Sequence, residues 1–370
     1  MSFDKTKISI KEAKIILKST YNLEGEIISL NGEIDLNFKI ISNKSKTYLL
    51  KVSRPNYEQE YIDYQIDLLE YLNKSSKIEV PKIINTINNK KSSNFQDING
   101  ENRSVRLMSW IEGRLWSSTN PIKKSLRYEL GFLSSQLAKS MKDFNHPYAH
   151  RTIKWDISKS LWVENHLDTF DSKKAQVLNK FIQDFKNNLL LYKKLEKSVI
   201  HNDINDNNII VTHDFLNPEV KSIIDFGDSV YSQTINDLAI TCSYGIMNHN
   251  DPLLGCIDIV KGYNENRKIK DEELKLLYNL IAMRLVISVT ISSINRNKEP
   301  NNKYLFVSEK SAWNLIYKWS EVNSEFAYYS FRKACSIDAH PNKKKLINWA
   351  KKTNFSIKDL LPEINKSKFY

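Results

Sequence analysis

Two polar stretches, each closed by short apolar runs, constrain this chain more than any other feature of its 370 residues. The first is HNDINDNN, from His201 to Asn208, between Val199-Ile200 and Ile209-Ile210-Val211. The second is IIDFGDS, from Ile223 to Ser229, at the end of the apolar segment Val220 to Ile224. Apolar runs of this length bounded by turn residues read as buried β segments, so the polar residues between them form rigid loops. Asp203 stands shortly before Asn208, and Asp225 ends a strand ahead of Phe226 and Gly227.

These residue types suit phosphoryl transfer. Moving a γ-phosphoryl group to a hydroxyl needs a carboxylate that orients the acceptor and takes its proton. It also needs oxygen ligands for Mg2+ that leave room for water and phosphate. Asp203 fits the first task, and Asn208 and Asp225 fit the second. A single HxD or DFG is weak, because turns collect Asp and Asn for backbone reasons. The two in this order, both strand-flanked, say more than either alone. The rival is a metal-dependent hydrolase with His201, Asp203, Asp225 and Asp228 as ligands, since imidazole and carboxylate also suit transition metals.

Size and composition leave room for both. The length allows two lobes and a substantial core, and 41% hydrophobic with 11% aromatic residues argues against extended disorder. No apolar run reaches membrane-spanning length and the first residues lack an apolar signal core, which gives the expectation of a cytoplasmic protein with no membrane partner. The lysines behind the net charge of +12 are scattered, and no nucleic-acid motif accompanies them, so nucleic acid is not expected as a partner. Cys242, Cys256 and Cys335 are widely spaced in apolar surroundings and read as buried thiols.

Along the chain, residues 1–108 read as a small α+β lobe. A short helix at Lys11 to Ser19 precedes alternating segments at Glu26 to Leu30, Asn37 to Ser42 and Thr47 to Val52, which look like antiparallel strands. Tyr57 to Leu72 has helical periodicity. Ile83 to Ile87 and Ser104 to Met108 read as further strands, with a surface hairpin loop from Asn88 to Arg103. Residues 109–113 form a hinge, and 114–370 a large helical lobe. Its amphipathic patterns fall at Ser125 to Phe144, Ser158 to Phe170, Lys173 to Leu195, Thr234 to His249, Pro252 to Tyr263, Asp271 to Ile294 and Ser308 to Trp319. The expected architecture is therefore α+β and bilobal. Lys51, in YLLKVS on the third strand, stands where a kinase needs a cation on the α- and β-phosphates. The hydrolase rival gives this lobe no task, which favours a kinase.

The chain resembles the aminoglycoside phosphotransferase and choline kinase superfamily, related in fold to protein kinases, and within it the hydroxylysine kinase group. The resemblance runs from about Glu26 to Pro362. It is carried by LNGEIDLNF, YLLKVS, the YIDYQ helix, FNHPYAHRTIKWD, HNDINDNNIIV, IDFGDSVYSQTINDLAITCSYGI, NKYLFVSEKSAW and YYSFRKACSIDAHP. It implies a bilobal protein-kinase-like fold, with Asp203 as catalytic base, His201 shaping the loop, and Asn208 and Asp225 on Mg2+. Lys51 would contact the phosphates of ATP or GTP. The loop from Leu30 to Asn37 would cover them, which puts Asn37 among the nucleotide-binding residues. The backbone of Ser109, Trp110 and Ile111 would meet the base, and Asp228 would lie beside the substrate pocket.

Two departures stand out. The nucleotide loop has a single glycine, Gly32, so it is neither a Walker A motif nor the Gly-rich loop of protein kinases. The helix residue expected to pair with Lys51 falls on Gln65, a neutral acceptor, with Asp63 and Glu60 as nearby acids. A non-catalytic nucleotide-binding module is the alternative that Gln65 motivates. For the acceptor, Arg151, Trp155 and Asp156 occupy a segment typical of the subgroup, Asp156 and Asp228 suit an amine, and Arg284 suits a carboxylate because arginine binds carboxylates bidentately. Arg284 reads equally as a structural salt bridge. A hydroxylated amino acid such as hydroxylysine is the leading acceptor, ahead of an amino alcohol or choline-like compound, homoserine and an aminoglycoside.

Overall fold

Segregation of strands into the first third of the chain gives a sheet, and the long 3.6-residue patterns after it give a helical body. The computed structural model describes residues 7–32, 35–298 and 309–353. Helix α1 (Ile10–Tyr21) starts where Ser9 and Glu12 form a reciprocal capping box, and it buries Ala13, Ile16, Leu17 and Tyr21 along one stripe. Strands β1 (Gly25–Leu30), β2 (Leu36–Ser42) and β3 (Thr47–Val52) follow, then helix α2 (Gln59–Ser75) and strands β4 (Ile83–Ile84), β5 (Ser93–Gln96) and β6 (Asn102–Ser109). The sheet is antiparallel in the order β1-β2-β3-β6-β4, with β5 also on β6. Its core joins Ile16 and Leu17 to Phe38, Ile40, Leu50, Val52, Val105 and Leu107.

The surface hairpin loop expected at Asn88 to Arg103 carries a strand of its own, β5, and a tight turn. The Asp97 carboxylate accepts from the Asn99 and Glu101 amides, each at 2.9 Å, and pairs with buried Arg103 at 2.6 Å, so a polar sequence builds its own hairpin.

Helix α2 belongs to both halves of the molecule. Tyr64, Leu68 and Leu72 enter the large core, while Tyr61, Ile62 and Ile66 form a small cluster of their own. Beyond β6 come β7 (Arg114–Leu115), α3 (Lys124–Met141), α4 (Ser172–Asn187), α5 (Leu189–Lys193), β8 (Lys197–Ile200), β9 (Ile209–Val211), β10 (Val220–Ile223) and β11 (Val230–Gln233). Helices α6 (Ile235–Gly245), α7 (Pro252–Asn266), α8 (Asp271–Lys298), α9 (Glu309–Glu321), α10 (Ser324–Ala334) and α11 (Lys343–Lys352) complete the body.

Two helical expectations change. Ser158 to Phe170 is a run of 3₁₀ turns over Ile157–Thr169, because Ile157, Ser160 and Val163 are buried at a spacing of three. The pattern from Lys173 to Leu195 breaks at Asn188, whose side chain donates back to the Asp184 carbonyl at 2.8 Å and ends α4. Helices α10 and α11 were not anticipated. Against the expectation that no apolar run reaches membrane-spanning length, helix α8 is long and apolar enough to cross a membrane; its most apolar stretch has mean hydropathy 1.7, and 89% of that stretch is buried inside the protein. It is the core helix around which the body packs. The three cysteines are free and buried, as their surroundings suggested. Most of NKYLFVSEKSAW, and residues 33 and 34 of the nucleotide loop, lie outside the described residues.

Candidate active site

The two polar loops meet because the strands at both their ends pair. Ile209 of β9 lies opposite Ile223 of β10, and the ladder runs one step further as the Ile224 amide donates to the Asn208 carbonyl at 2.9 Å. At the other ends, Ile200 of β8 lies opposite Val230 of β11. Asn208 therefore stands beside the Asp225 strand end. His201 is fully buried under both loops. Its Nδ1 accepts from the Asp203 amide at 3.2 Å, its Nε2 meets the Ile224 carbonyl at 3.1 Å, and its ring packs on Phe226. With both ring nitrogens committed to backbone, His201 shapes the loop and offers no nitrogen to a metal, which removes the basis of the hydrolase reading. Asp237 at the start of α6 holds the loop from below, accepting from the His201 amide at 2.9 Å and the Asn202 amide at 2.8 Å.

Asp203 is held by three side chains and stays 21% accessible. Arg284 Nη2 donates to its Oδ1 at 2.7 Å, while Asn205 and Asn208 donate to its Oδ2 at 2.9 and 2.8 Å. Arg284, 1% exposed, also donates to the Trp155 carbonyl at 3.1 Å, with its guanidinium 4.5 Å from the Trp155 ring. The expectation of a substrate-carboxylate clamp thus fails on burial: Arg284 faces Asp203, and Trp155 is its stacking platform. Asp156 is corrected as well. It is 2% exposed and accepts from the Ser158 amide at 2.9 Å and the Ser232 hydroxyl at 2.7 Å, so it is spent on capping the 3₁₀ segment and tying it to β11.

Asn208 spends its amide N–H groups on Asp203, which turns its Oδ1 the other way. Asp225 adopts a left-handed backbone conformation (φ 64°), a costly one for a non-glycine residue and one that clusters at functional sites. Its carboxylate remains 44% accessible while its Oδ1 accepts from Lys51 at 3.0 Å. Burial would raise its pKa, but Lys51, then His201 and the Gly227 amide, hold it below the usual carboxylate range. An amide oxygen and an ionised carboxylate on adjoining loop ends are oxygen donors of the kind a hard divalent cation takes.

Lys51 is 5% exposed and lies on β3 between Asn37 of β2 and Arg106 of β6 in the sheet register. Desolvation pulls its pKa down, but Asp225 and then Asp35 outweigh this and hold it above the ordinary lysine value. Gln65 makes no hydrogen bond to it. Gln65 Oε1 accepts from Arg106 at 2.9 Å, and Arg106 pairs with Asp35 at 2.8 Å, which in turn lies 3.4 Å from Lys51. Glu60 and Asp63 are exposed on α2 and take no part. Since Lys51 has carboxylates on hand, the neutrality of Gln65 gives no support to a non-catalytic module. Gly32 packs so closely that a Cβ there would lie 2.5 Å from Asn37 Nδ2 and 2.6 Å from the Asp35 carbonyl, which requires glycine. At the end of β6, the Ser109 amide donates to Lys82 and the Trp110 amide to Thr47. Of the three amides in the hinge backbone expected to meet the base, that leaves Ile111's.

Asp228 is half-buried, and burial, then the Asp203 charge, push its carboxyl up to about 7 against the pull of Arg151. Arg151 donates to the Gly227 and Ser229 carbonyls and lies 4.6 Å from the Tyr61 ring, whose hydroxyl also donates to Gly227 at 2.8 Å. Helix α2 is thereby tied to the Asp225 loop. Sequence reasoning missed Asp35, Arg106, Tyr61 and Asp237. Arg106 had a faint signal, a cation between Val105 and Leu107 that mirrors Lys51 between Leu50 and Val52.

Residues 26–255 match the family described as the phosphotransferase enzyme family. The chain belongs to that family. The hydroxylysine kinase of Mus musculus is 22% identical over 332 residues, spanning 82% of this chain and 86% of the relative. Among solved structures, an amicoumacin kinase in complex with AMP-PNP, Ca2+ and Ami aligns with a TM-score of 0.64 at 16% identity, covering 86% of this chain and 96% of that one. A microcompartment-associated aminopropanol kinase gives 0.63 at 17%, covering 88% and 99%. The phosphotransferase therefore has the bilobal kinase-like fold expected from its sequence, and it is a kinase acting on a hydroxyl group.

Proposed function

We propose that this phosphotransferase moves the γ-phosphoryl group of ATP or GTP to the hydroxyl of a small amine, and that the acceptor is a hydroxylated amino acid such as 5-hydroxylysine. The observation that carries the reading is the accessible Asp203 carboxylate, fixed by Arg284, Asn205 and Asn208 beside the Asn208–Asp225 pair. Similarity to hydroxylysine kinases over most of both chains supports the acceptor. So does Asp228, a carboxyl that gains from meeting an ammonium group.

In this reading the acceptor hydroxyl donates to Asp203. Asp203 takes its proton as the bond from the hydroxyl oxygen to the γ-phosphorus forms and the bond from that phosphorus to the β–γ bridging oxygen breaks. Asn208 and Asp225 would hold Mg2+, which when bound neutralises charge on the phosphate oxygens. Lys51 binds the α- and β-phosphates, and the Ile111 amide donates to the base.

The test is nucleotide consumption, with ATP and GTP in parallel, against 5-hydroxylysine, homoserine, amino alcohols, choline and aminoglycosides. Hydroxylysine is expected to give the highest kcat/KM by about tenfold or more, one well-recognised group's worth of binding. An amino alcohol ahead of it overturns the acceptor alone. Asp203→Asn is expected to cost on the order of 10³ in kcat with nucleotide affinity unchanged. A fully active variant sinks the base assignment.

A further inference from the structure

We propose that Asp35, not an acid on α2, is the carboxylate that positions Lys51 for the nucleotide, with Arg106 and Gln65 holding Asp35 in place. This rests on the kinase reading above and goes further in assigning the lysine's counter-ion. A buried lysine stays charged only with anionic partners close by. Among the described residues two reach Lys51, Asp225 at 3.0 Å and Asp35 at 3.4 Å. Asp225 is also a donor for the divalent cation, so when it turns to that task Asp35 is the acid left to hold the ammonium.

The surroundings of Asp35 are built for this. It is 7% exposed, and its Oδ2 accepts from Arg106 Nη2 at 2.8 Å while facing Lys51. Arg106 is 1% exposed and sits directly opposite Lys51 in the β3–β6 register, so the two cations flank one carboxylate. The same Nη2 donates to Gln65 Oε1, and Gln65 Nε2 donates to the Tyr61 carbonyl one turn back, which fixes the amide with its oxygen towards Arg106. The charges balance: Lys51 and Arg106 against Asp35 and Asp225. An acid at position 65 would set a third carboxylate against two buried cations, so a neutral acceptor is what the arrangement requires.

The consequence is mechanical. Asp35 immediately precedes β2, at the end of the segment that begins after β1, so the placement of Lys51 depends on that segment rather than on the rotation of α2.

The experiment compares Asp35→Asn, close to isosteric, with the wild-type protein by binding of a fluorescent nucleotide analogue and by steady-state kinetics. The expected result is a nucleotide KM raised tenfold or more, with the acceptor KM unchanged. The double variant Asp35→Asn/Gln65→Glu, which returns one negative charge to Arg106, is expected to recover part of the loss. No recovery in a folded double variant overturns the proposal. If Asp35→Asn does not fold, Asp35→Ala/Arg106→Met removes both charges together and is expected to show the same nucleotide defect. Normal nucleotide KM in either folded variant overturns the proposal while leaving the kinase reading intact. A wild-type protein that binds no nucleotide would sink the kinase reading itself.

Discussion

Arg284 donates to Asp203 at 2.7 Å from the buried middle of α8, so the candidate base is anchored to the core rather than to its own loop alone. Arg284→Lys keeps the charge but loses the fork that also reaches the Trp155 and Asn202 carbonyls. It is expected to lower kcat about 100-fold with nucleotide KM unchanged. Arg284→Met breaks a buried pair and is expected to cost about 3–5 kcal/mol in chemical denaturation. A variant with normal kcat and only a raised acceptor KM would restore the substrate-clamp role.

Asp225 faces two partners, Lys51 and the proposed cation. Asp225→Asn removes the charged ligand, so Mg2+ should no longer strengthen nucleotide binding, and turnover should fall on the order of 10³-fold, as for loss of a Lewis-acid site worth several kcal/mol. Chelation of the wild-type protein should reproduce the loss and added Mg2+ reverse it. Titration calorimetry with and without the metal reads the difference.

Asp228 gives the protein a pH-dependent stability. Its carboxyl is raised from an ordinary 3.8 to about 7, so between those values the folded protein keeps a proton that the unfolded chain has released. Its stabilising contribution is complete below about pH 4 and is lost as pH rises towards 7. Asp228→Asn should therefore leave the melting temperature unchanged at pH 4 and raise it at pH 8, by up to about 4 kcal/mol in stability. An equal effect at both pH values would count against the buried carboxyl.

Asp237 carries structural load. It is fully buried and accepts from two successive loop amides, at His201 and Asn202. Asp237→Ala leaves both amides unpaired at about 1–3 kcal/mol each, so the unfolding midpoint should fall by several kcal/mol in equivalent stability. A loss below about 1 kcal/mol would mean that another acceptor takes over.

The strands around the two motif loops were legible because burial and turn chemistry act over a few residues. Thr47–Val52 was foreseen residue for residue, and the α2 pattern was found within a turn. The 3₁₀ run at Ile157–Thr169 was not, because a three-residue and a 3.6-residue stripe diverge little over so short a span. The site divided the same way. Asp203, Asn208 and Asp225 announce themselves by type and spacing, whereas Arg106 and Asp35 look like ordinary strand and loop residues until the register sets them beside Lys51.

By itself the sequence determined the chemistry on offer: a carboxylate, an amide and a second carboxylate on two strand-bounded loops, and a lysine on a strand in front of them. Only the tertiary structure decided who meets whom. Gln65 went to Arg106 instead of Lys51, Arg284 to Asp203 instead of a substrate carboxylate, and Asp156 to a 3₁₀ cap. Residue type fixes what a side chain can donate or accept, but its partner depends on strand register and on desolvation by elements far away in the chain. No local spacing encodes these.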